Sequence, residues 1–202
     1  MFIFLIGTLI YITSIYNIVS LFLNYSPEIK HNKIFNPNVI YSPTQGTVQN
    51  ITYNEEQNEL TIRVFLGPLD NHTQYYPVDG KVTDQIYKKG EFNPAFLFKK
   101  SKYNESFTTI LEFETNPLEL PNDYNSKKTK IVITQIAGVL ARRIRTKNKI
   151  GQTIEFGGKL GKILLGSAVD ITVDSRVFKP VVQVSDKVFP LETVLLSYNN
   201  FV

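Results

Sequence analysis

The chain has 202 residues, of which 43% are hydrophobic and 20% charged, a composition typical of a folded protein and not of a disordered one. The absence of cysteine excludes disulfides and thiolate catalysis, and two histidines are too few for a multi-histidine zinc site, so no metal site is predicted. The net charge of +4 is too small and too dispersed to indicate a nucleic-acid partner, although it suits an anionic lipid surface.

The first predicted element is a membrane anchor, residues 1–24. Met1–Leu23 carries no charged side chain and is rich in Phe, Ile, Leu, Val and Tyr, close to the about 20 residues that cross a bilayer. A cleavable signal peptide is the rival interpretation, but its basic start and small-residue cleavage site are not evident. Lys30 and Lys33 follow the tract and favour the cytoplasmic side for the domain. The predicted location is therefore the membrane.

A polar linker, residues 25–38, is predicted to lead into one domain, residues 39–202, in which the pattern is that of strands. Segments rich in β-branched and aromatic residues predict strands at Thr47–Tyr53, Leu60–Phe65, Phe107–Thr115, Lys130–Ala137 and Ile171–Val177. We therefore expect a mostly β, α+β fold: an antiparallel sheet of barrel or sandwich type, with few helices and the N-terminal membrane helix.

Turn residues separate these strands. Asn54–Asn58 and Gly157–Gly158 are typical of loops, and Asp79–Gly80 predicts a tight hairpin turn. Asn122–Lys130 is polar and predicts a further loop. Val139–Ile144 fits either a short helix or a continued strand, and the sequence does not decide between them.

Six ordered segments stand out in the sequence, and the Gly166–Ser167 pair is among their most specific parts. They are Tyr41–Val48, Phe65–His72, Pro77–Val82, Thr134–Ile144, Gly161–Asp170 and Glu192–Leu195. This set resembles phosphatidylserine decarboxylase in the short form of archaea and many bacteria, from about residue 21 to the end. The resemblance implies two glycine-bearing hairpins, around Gly46 and Gly80, that frame the strand of Gly166 and Ser167.

The resemblance implies a proenzyme that cleaves itself between Gly166 and Ser167. The Ser167 hydroxyl would attack the Gly166 carbonyl, and elimination from the resulting ester would leave a covalent pyruvoyl cofactor derived from Ser167. The pyruvoyl carbonyl would draw the electrons released when phosphatidylserine loses carbon dioxide and becomes phosphatidylethanolamine. A related amino-phospholipid, such as archaetidylserine, is an alternative substrate. Apart from the resemblance, Ser167 fits an ordinary strand serine bonded to neighbouring backbone.

Three further residues have implied roles. His72 matches the first histidine of the family's Asp-x-His segment and is the candidate proton donor, because imidazole titrates near neutrality. The alternative for His72 is a surface or capping residue after a turn. Arg142 and Arg143 are candidates for the lipid phosphate, because guanidinium binds phosphate through two hydrogen bonds. Their alternative is a solvated basic face on the membrane side.

Two positions depart from the family pattern. Gln45 stands where an aspartate is expected, and Tyr75 stands where some members have a second histidine. Gln45 motivates an alternative function, an uncleaved and inactive relative that binds phospholipid or membrane surfaces. A third interpretation, a carrier domain modified on Lys81, follows from the predicted hairpin but accounts for too little of the chain. The sequence leaves a homodimer open.

Overall fold

The computed structural model describes residues 7, 10–17, 36, 38–115, 128–139, 144–146, 148–163 and 166–199. Within the domain these residues form strands and one short helix, in the order β1 Val39–Tyr41, β2 Gly46–Asn54, β3 Glu59–Leu66, β4 Thr73–Tyr75, β5 Gly80–Lys88, α1 Phe98–Ser101, β6 Ser106–Glu114, β7 Lys128–Ile136, β8 Ile144–Thr146, β9 Thr153–Ile154, β10 Lys159–Ile163, β11 Ser167–Asp174, β12 Phe178–Pro180, β13 Lys187–Val188 and β14 Val194–Tyr198.

The strands form one large antiparallel sheet and two small ones. The large sheet has the order β13-β2-β3-β11-β7-β6-β5-β9, and the small sheets have the orders β4-β10-β8 and β1-β14-β12. Strand β11 lies between β3 and β7 and is hydrogen-bonded to both along most of its length. The predicted mostly β, antiparallel architecture with few helices is confirmed.

The central strands have one apolar face and one polar face, because side chains alternate along a strand. In β11, Val169 and Ile171 point into the main hydrophobic core. On the opposite face Asp170 accepts two hydrogen bonds from the guanidinium of Arg63, at 2.5 and 2.6 Å. Fully burying a Val or Ile side chain contributes about 1.5–3 kcal/mol, so the apolar face supplies most of what holds β11 in place.

Two sequence predictions about turns and ends are wrong. Asp79–Gly80 is not a hairpin turn, because Gly80 begins β5, which pairs with β6 and β9, whereas the preceding strand β4 pairs with β10. The hairpin expected around Gly46 is present, by contrast, because β2 begins at Gly46 and pairs antiparallel with the next strand, β3. The last predicted strand, Ile171–Val177, instead begins at Ser167 and ends at Asp174, after which the chain turns.

The N-terminal predictions fall mostly on residues outside the described ranges. Residues 10–17 are helical and exposed, and of the predicted linker only residues 36 and 38 are described. In the described part of the chain there is no helix with the length and apolarity to span a bilayer. Of Val139–Ile144, residues 140–143 lie outside the described residues, and Ile144 begins β8.

Candidate functional site

The Gly166–Ser167 bond lies at one end of the central strands. Ser167 is the first residue of β11 and pairs with Leu66, the last residue of β3. On the other side of β11, Ala168 pairs with Ile136, the last residue of β7. The predicted cleavage bond therefore lies where three neighbouring strands end together.

The Ser167 side chain is fully buried and lacks a hydrogen-bond partner. Its exposed fraction is 0%, and its Oγ makes no hydrogen bond to the described residues. Ser167 and Val169 are two positions apart and therefore share one face of β11. The Ser167 side chain thus points toward the apolar core. An unsatisfied buried hydroxyl costs about 1–3 kcal/mol, and each such group in a folded protein needs an explanation. The alternative of a strand serine bonded to neighbouring backbone finds no support among the described residues.

Gly166 adopts a conformation that favours glycine. Its φ is +68°, in the left-handed region. The register that pairs Ala168 with Ile136 also brings Gly166 opposite Gly138, two residues beyond the paired ladder. The approach there is so close that a Cβ on Gly138 would overlap the carbonyl oxygen of Gly166. The carbonyl of the predicted cleavage bond is thus pressed against a neighbouring glycine.

His72 lies at the same end of the fold and is buried. Its backbone carbonyl accepts hydrogen bonds from the Ile163 amide at 3.1 Å and from the Gln74 side chain at 2.9 Å. Its Nε2 is buried and has no hydrogen-bond partner among the described residues. Desolvation lowers the pKa of His72 below its usual 6.5. A hydrogen bond to the Asp70 backbone and the Asp70 charge oppose this shift, and the nearby Lys162 charge adds to it.

Gln45 contacts the loop that carries His72. Its Nε2 donates to the Asp70 carboxylate at 3.3 Å, and its Oε1 accepts from the Asn71 backbone amide at 3.2 Å. The other oxygen of the Asp70 carboxylate accepts a hydrogen bond from the Gly67 amide at 2.7 Å. Because an amide N–H can donate to a carboxylate, Gln45 is a direct hydrogen-bond partner of Asp70 in the loop before His72. The chain thus places a carboxylate near His72 without having one at position 45.

Two buried amide side chains lie between the large sheet and the small sheet of β4, β10 and β8. The Nε2 of Gln135 donates to the Oε1 of Gln74 at 2.8 Å, and both residues are fully buried. Gln135 pairs with Val169 and therefore shares the core-facing side of the large sheet with Ser167. Its Oε1 is buried without a hydrogen-bond partner among the described residues.

Tyr75, a further position singled out in the sequence, does not join this group. Tyr75 is 1% exposed and packs in a small apolar cluster with Tyr41, Phe156 and Leu191, which identifies it as a core residue. Arg142 and Arg143 lie outside the described residues, so their predicted contact with lipid phosphate stays a prediction.

Lys81 does not occupy the position that a carrier domain requires. It lies inside β5, paired with Glu112 on one side and Thr153 on the other, and not beside a hairpin turn. It lines an open groove of about 830 Å³ at the β5–β9 edge, which contains none of the site residues Gly166, Ser167 and His72. The structure therefore removes the hairpin on which the carrier interpretation depends.

Sequence reasoning missed two residues of this arrangement. Asp70 lies within the Phe65–His72 segment, but its hydrogen bond to Gln45 joins residues 25 positions apart that no local pattern connects. Gly138 was included in a motif but given no role. A signal was present for Gly138, since a glycine directly after a buried strand indicates a close backbone approach.

Comparison with known proteins identifies the family of this chain. A family model described as phosphatidylserine decarboxylase matches residues 26–195. A protein of Methanosarcina mazei, provisionally named an archaetidylserine decarboxylase proenzyme, is 33% identical over 159 residues, which are 79% of this chain and 66% of that protein. Two proteins named phosphatidylserine decarboxylase proenzyme are similar: that of the Brugia malayi Wolbachia is 30% identical over 70% of this chain and 60% of its own length. The protein of Wolbachia pipientis wMel is 32% identical over 68% of this chain and 59% of its own length.

The chain spans slightly less than two thirds of the length of these relatives. The match to the family model nevertheless covers most of the chain, including the strands that carry Gly166, Ser167 and His72. The protein therefore belongs to the phosphatidylserine decarboxylase family.

Proposed function

We propose that this chain is a proenzyme that cleaves itself between Gly166 and Ser167 and then decarboxylates an amino-phospholipid, phosphatidylserine or archaetidylserine. The observation that carries the proposal is the Ser167 hydroxyl, which is buried next to a left-handed Gly166 and has no hydrogen-bond partner in the described part of the chain. A hydroxyl kept free of competing hydrogen bonds is available to attack the adjacent carbonyl. The family membership supplies the reaction class.

In the proposed self-cleavage, the Ser167 Oγ loses its proton and bonds to the Gly166 carbonyl carbon. The carbon–nitrogen bond of the peptide breaks, the nitrogen takes up a proton, and an ester replaces the amide. Removal of the α-hydrogen of residue 167 then expels the Gly166 carboxylate and leaves a carbon–carbon double bond. Hydrolysis releases ammonia and leaves a pyruvoyl group at the start of the second fragment.

The residues present fit this group. Ser167 provides its carbon atoms, water provides its keto oxygen, and the left-handed Gly166 with the side-chain-free Gly138 leaves room for the rearranging carbonyl. When formed, the pyruvoyl carbonyl supplies the electron sink for the electron pair that stays on the substrate α-carbon when carbon dioxide leaves. Position 167 is completely buried before cleavage, so the proposal requires that separation of Gly166 from Ser167 opens the site to substrate.

His72 moves protons in this proposal. Because burial lowers its pKa, the imidazole is mostly neutral at neutral pH and can accept a proton through Nε2. The Asp70 charge stabilises the imidazolium that results, and the hydrogen bond to the Asp70 backbone orients the ring. In self-cleavage the ring takes the Ser167 hydroxyl proton and returns it to the leaving peptide nitrogen. In each later turnover it takes up a proton from solvent and delivers it to the α-carbon of the substrate after carbon dioxide has left. His72 thus acts as proton acceptor in self-cleavage and as proton donor in decarboxylation.

The substrate class implies a membrane surface. We propose that the uncharged residues 1–24 hold the domain at the membrane on its cytoplasmic side, and that Arg142 and Arg143 bind the lipid phosphate. The number of uncharged residues at positions 1–24 supports the membrane attachment. The position of Arg142 and Arg143 in the chain, shortly after Gly138, supports the contact with lipid phosphate. Both parts are open to substitution experiments.

The decisive experiment is the intact mass of the purified chain compared with that of Ser167→Ala. We expect the wild type to separate under denaturing conditions into residues 1–166 and 167–202, with the second fragment blocked at its N-terminus and reactive toward hydrazines. Ser167→Ala stays full length. The cleaved protein releases carbon dioxide from carboxyl-labelled phosphatidylserine or archaetidylserine in vesicles. A wild type that remains a single 23.1 kDa chain would refute the proposal in favour of an inactive relative.

A further inference from the structure

We infer that Gly138 positions the carbonyl of the cleaved bond, and that the absence of a side chain at this residue is a requirement of self-cleavage. The inference rests on the proposed function, since it concerns the bond between Gly166 and Ser167. Gly138 is a positioning residue: it presents its Cα to the carbonyl oxygen and takes no part in proton transfer.

The contact is between backbones of two neighbouring strands. A Cβ built on Gly138 would meet the Gly166 carbonyl oxygen far inside the 3.0 Å below which real Cβ contacts are essentially not found, and the Gly166 carbonyl carbon at 2.9 Å. Backbone is the obstacle on the Gly166 side, so no side-chain rotation relieves the overlap. Gly166 itself differs, because a Cβ there meets no described atom within 4 Å. Glycine is thus needed for its φ at position 166 and for space at position 138.

The segment of Gly138 is fixed and cannot simply retreat. Asn104 is 1% exposed and its Nδ2 donates to the carbonyl oxygens of Ala137 and Asn93, at 2.7 Å each. The Ala137 amide in turn donates to the carbonyl oxygen of Glu105 at 2.9 Å. Both peptide groups that lead into Gly138 are therefore tied to the loop before β6.

A methyl group at position 138 would push the Gly166 carbonyl from its place. Unbonded carbon and oxygen approach no closer than about 3.3 Å, so the oxygen would move by about 1 Å or more. The Ser167 Oγ would then no longer face the carbonyl carbon in the orientation that bond formation needs. A misplacement of this size slows a positioned reaction by about 100-fold.

The experiment measures the rate of self-cleavage of Gly138→Ala in freshly refolded protein, by denaturing gel and intact mass. We expect cleavage at least about 100-fold slower than in the wild type. Hydroxylamine, which cuts the ester but not the amide, should release no additional fragment, because the block precedes the ester. Gly80→Ala is the matched control: its Cβ would overlap the Glu112 carbonyl oxygen in the same sheet, away from the cleavage bond, and it should cleave at the wild-type rate.

A second variant covers the case in which Gly138→Ala shows no cooperative thermal transition. Asn104→Ala adds no bulk but releases the Ala137 carbonyl, and it should slow cleavage by about tenfold by loosening Gly138. Wild-type rates in a folded Gly138→Ala, or in Asn104→Ala if Gly138→Ala is unfolded, would overturn the inference. Such a result leaves the proposed function intact, whereas an uncleaved wild type refutes the proposed function itself.

Discussion

The Nε2 of Gln45 donates a hydrogen bond to the Oδ1 of Asp70 at 3.3 Å, while the Oε1 of Gln45 accepts from the backbone of Asn71. The family aspartate expected at position 45 is absent, but a carboxylate is still present close to His72. An aspartate at position 45 would face Asp70 as a second negative charge, whereas the amide binds it. The departure from the family pattern is therefore compatible with a working proton acceptor.

The first prediction concerns the charge of Asp70. Asp70→Asn removes the carboxylate that raises the pKa of His72, so the pKa falls further and the imidazolium loses its stabilising partner. We expect self-cleavage about 100-fold slower, at the lower end of what a general base contributes. The measurement is the rate of fragment formation at neutral pH.

Asp79→Asn is the matched control for this prediction. The Asp79 carboxylate accepts a hydrogen bond from the Phe156 amide at 2.6 Å, at the other edge of the large sheet. Its loss should lower stability without changing the cleavage rate. Equal rates for Asp70→Asn and the wild type would show that Asp70 does not support His72.

The second prediction is a dependence of stability on pH. Because the pKa of His72 is lower in the folded chain than its unfolded value of 6.5, the unfolded chain takes up this proton first as the pH falls. The contribution of the neutral His72 to the free energy of unfolding is fully present above pH 6.5. It is lost as the pH falls through the pKa of His72 in the folded chain. Urea unfolding of the uncleaved Ser167→Ala chain at about pH 7.5 and about pH 5.5 measures it.

His72→Gln in the same background provides the comparison. It should lose less free energy of unfolding than its parent between the two pH values, because it lacks the depressed imidazole. The other titratable residues are the same in both chains, so the difference between the two losses reports on His72. Identical losses in the two chains would contradict a buried, neutral His72.

The third prediction concerns the ion pair between Arg63 and Asp170, which joins β3 to β11. The Arg63 side chain is 6% exposed and also donates to the Ser101 hydroxyl at 2.9 Å. Asp170→Ala leaves this guanidinium buried without its partner and should cost about 3 kcal/mol in the free energy of unfolding. Arg176→Ala breaks an exposed pair and should cost about 0.5 kcal/mol or less. Similar losses for both would show that the buried pair is solvated.

The fourth prediction separates conformational cost from steric cost. Gly166 and Gly151 both have positive φ, +68° and +86°, and a Cβ on either meets no described atom within 4 Å. Alanine at either position should therefore cost about 1 kcal/mol in the Ser167→Ala background, by urea unfolding. A much larger loss at Gly166 would mean that a side chain there does meet a neighbour.

The fold was largely predictable because the local sequence of most strands indicates β-structure. Leu60–Phe65 and Lys130–Ala137 are rich in β-branched residues, and both appear within one or two residues of their predicted ends. The hairpin at Asp79–Gly80 was wrong for a physical reason. Strand β4 before it has only three residues and finds its partner in β10, about 85 residues along the chain, and no local pattern encodes that pairing.

The site was predictable in its residue types and not in its contacts. Ser167, Gly166 and His72 were identified by motif, and the structure places them at one end of the fold. The hydrogen bond from Gln45 to Asp70 and the contact of Gly138 with Gly166 arise only when distant strands align. Such contacts depend on register, which the whole sheet determines.

The central place of β11 has a consequence for the processed protein. Cutting before Ser167 leaves β11 bonded to β3 and β7, while β13 still pairs with β2 and β14 with β1. Residues 167–202 would thus supply the central strand β11 and the edge strand β13 of the large sheet, while the other strands of that sheet belong to the longer piece. Release of either piece would expose the whole core, so the two should leave a gel-filtration column together and part only on denaturation. Maturation would convert one polypeptide into an inseparable pair.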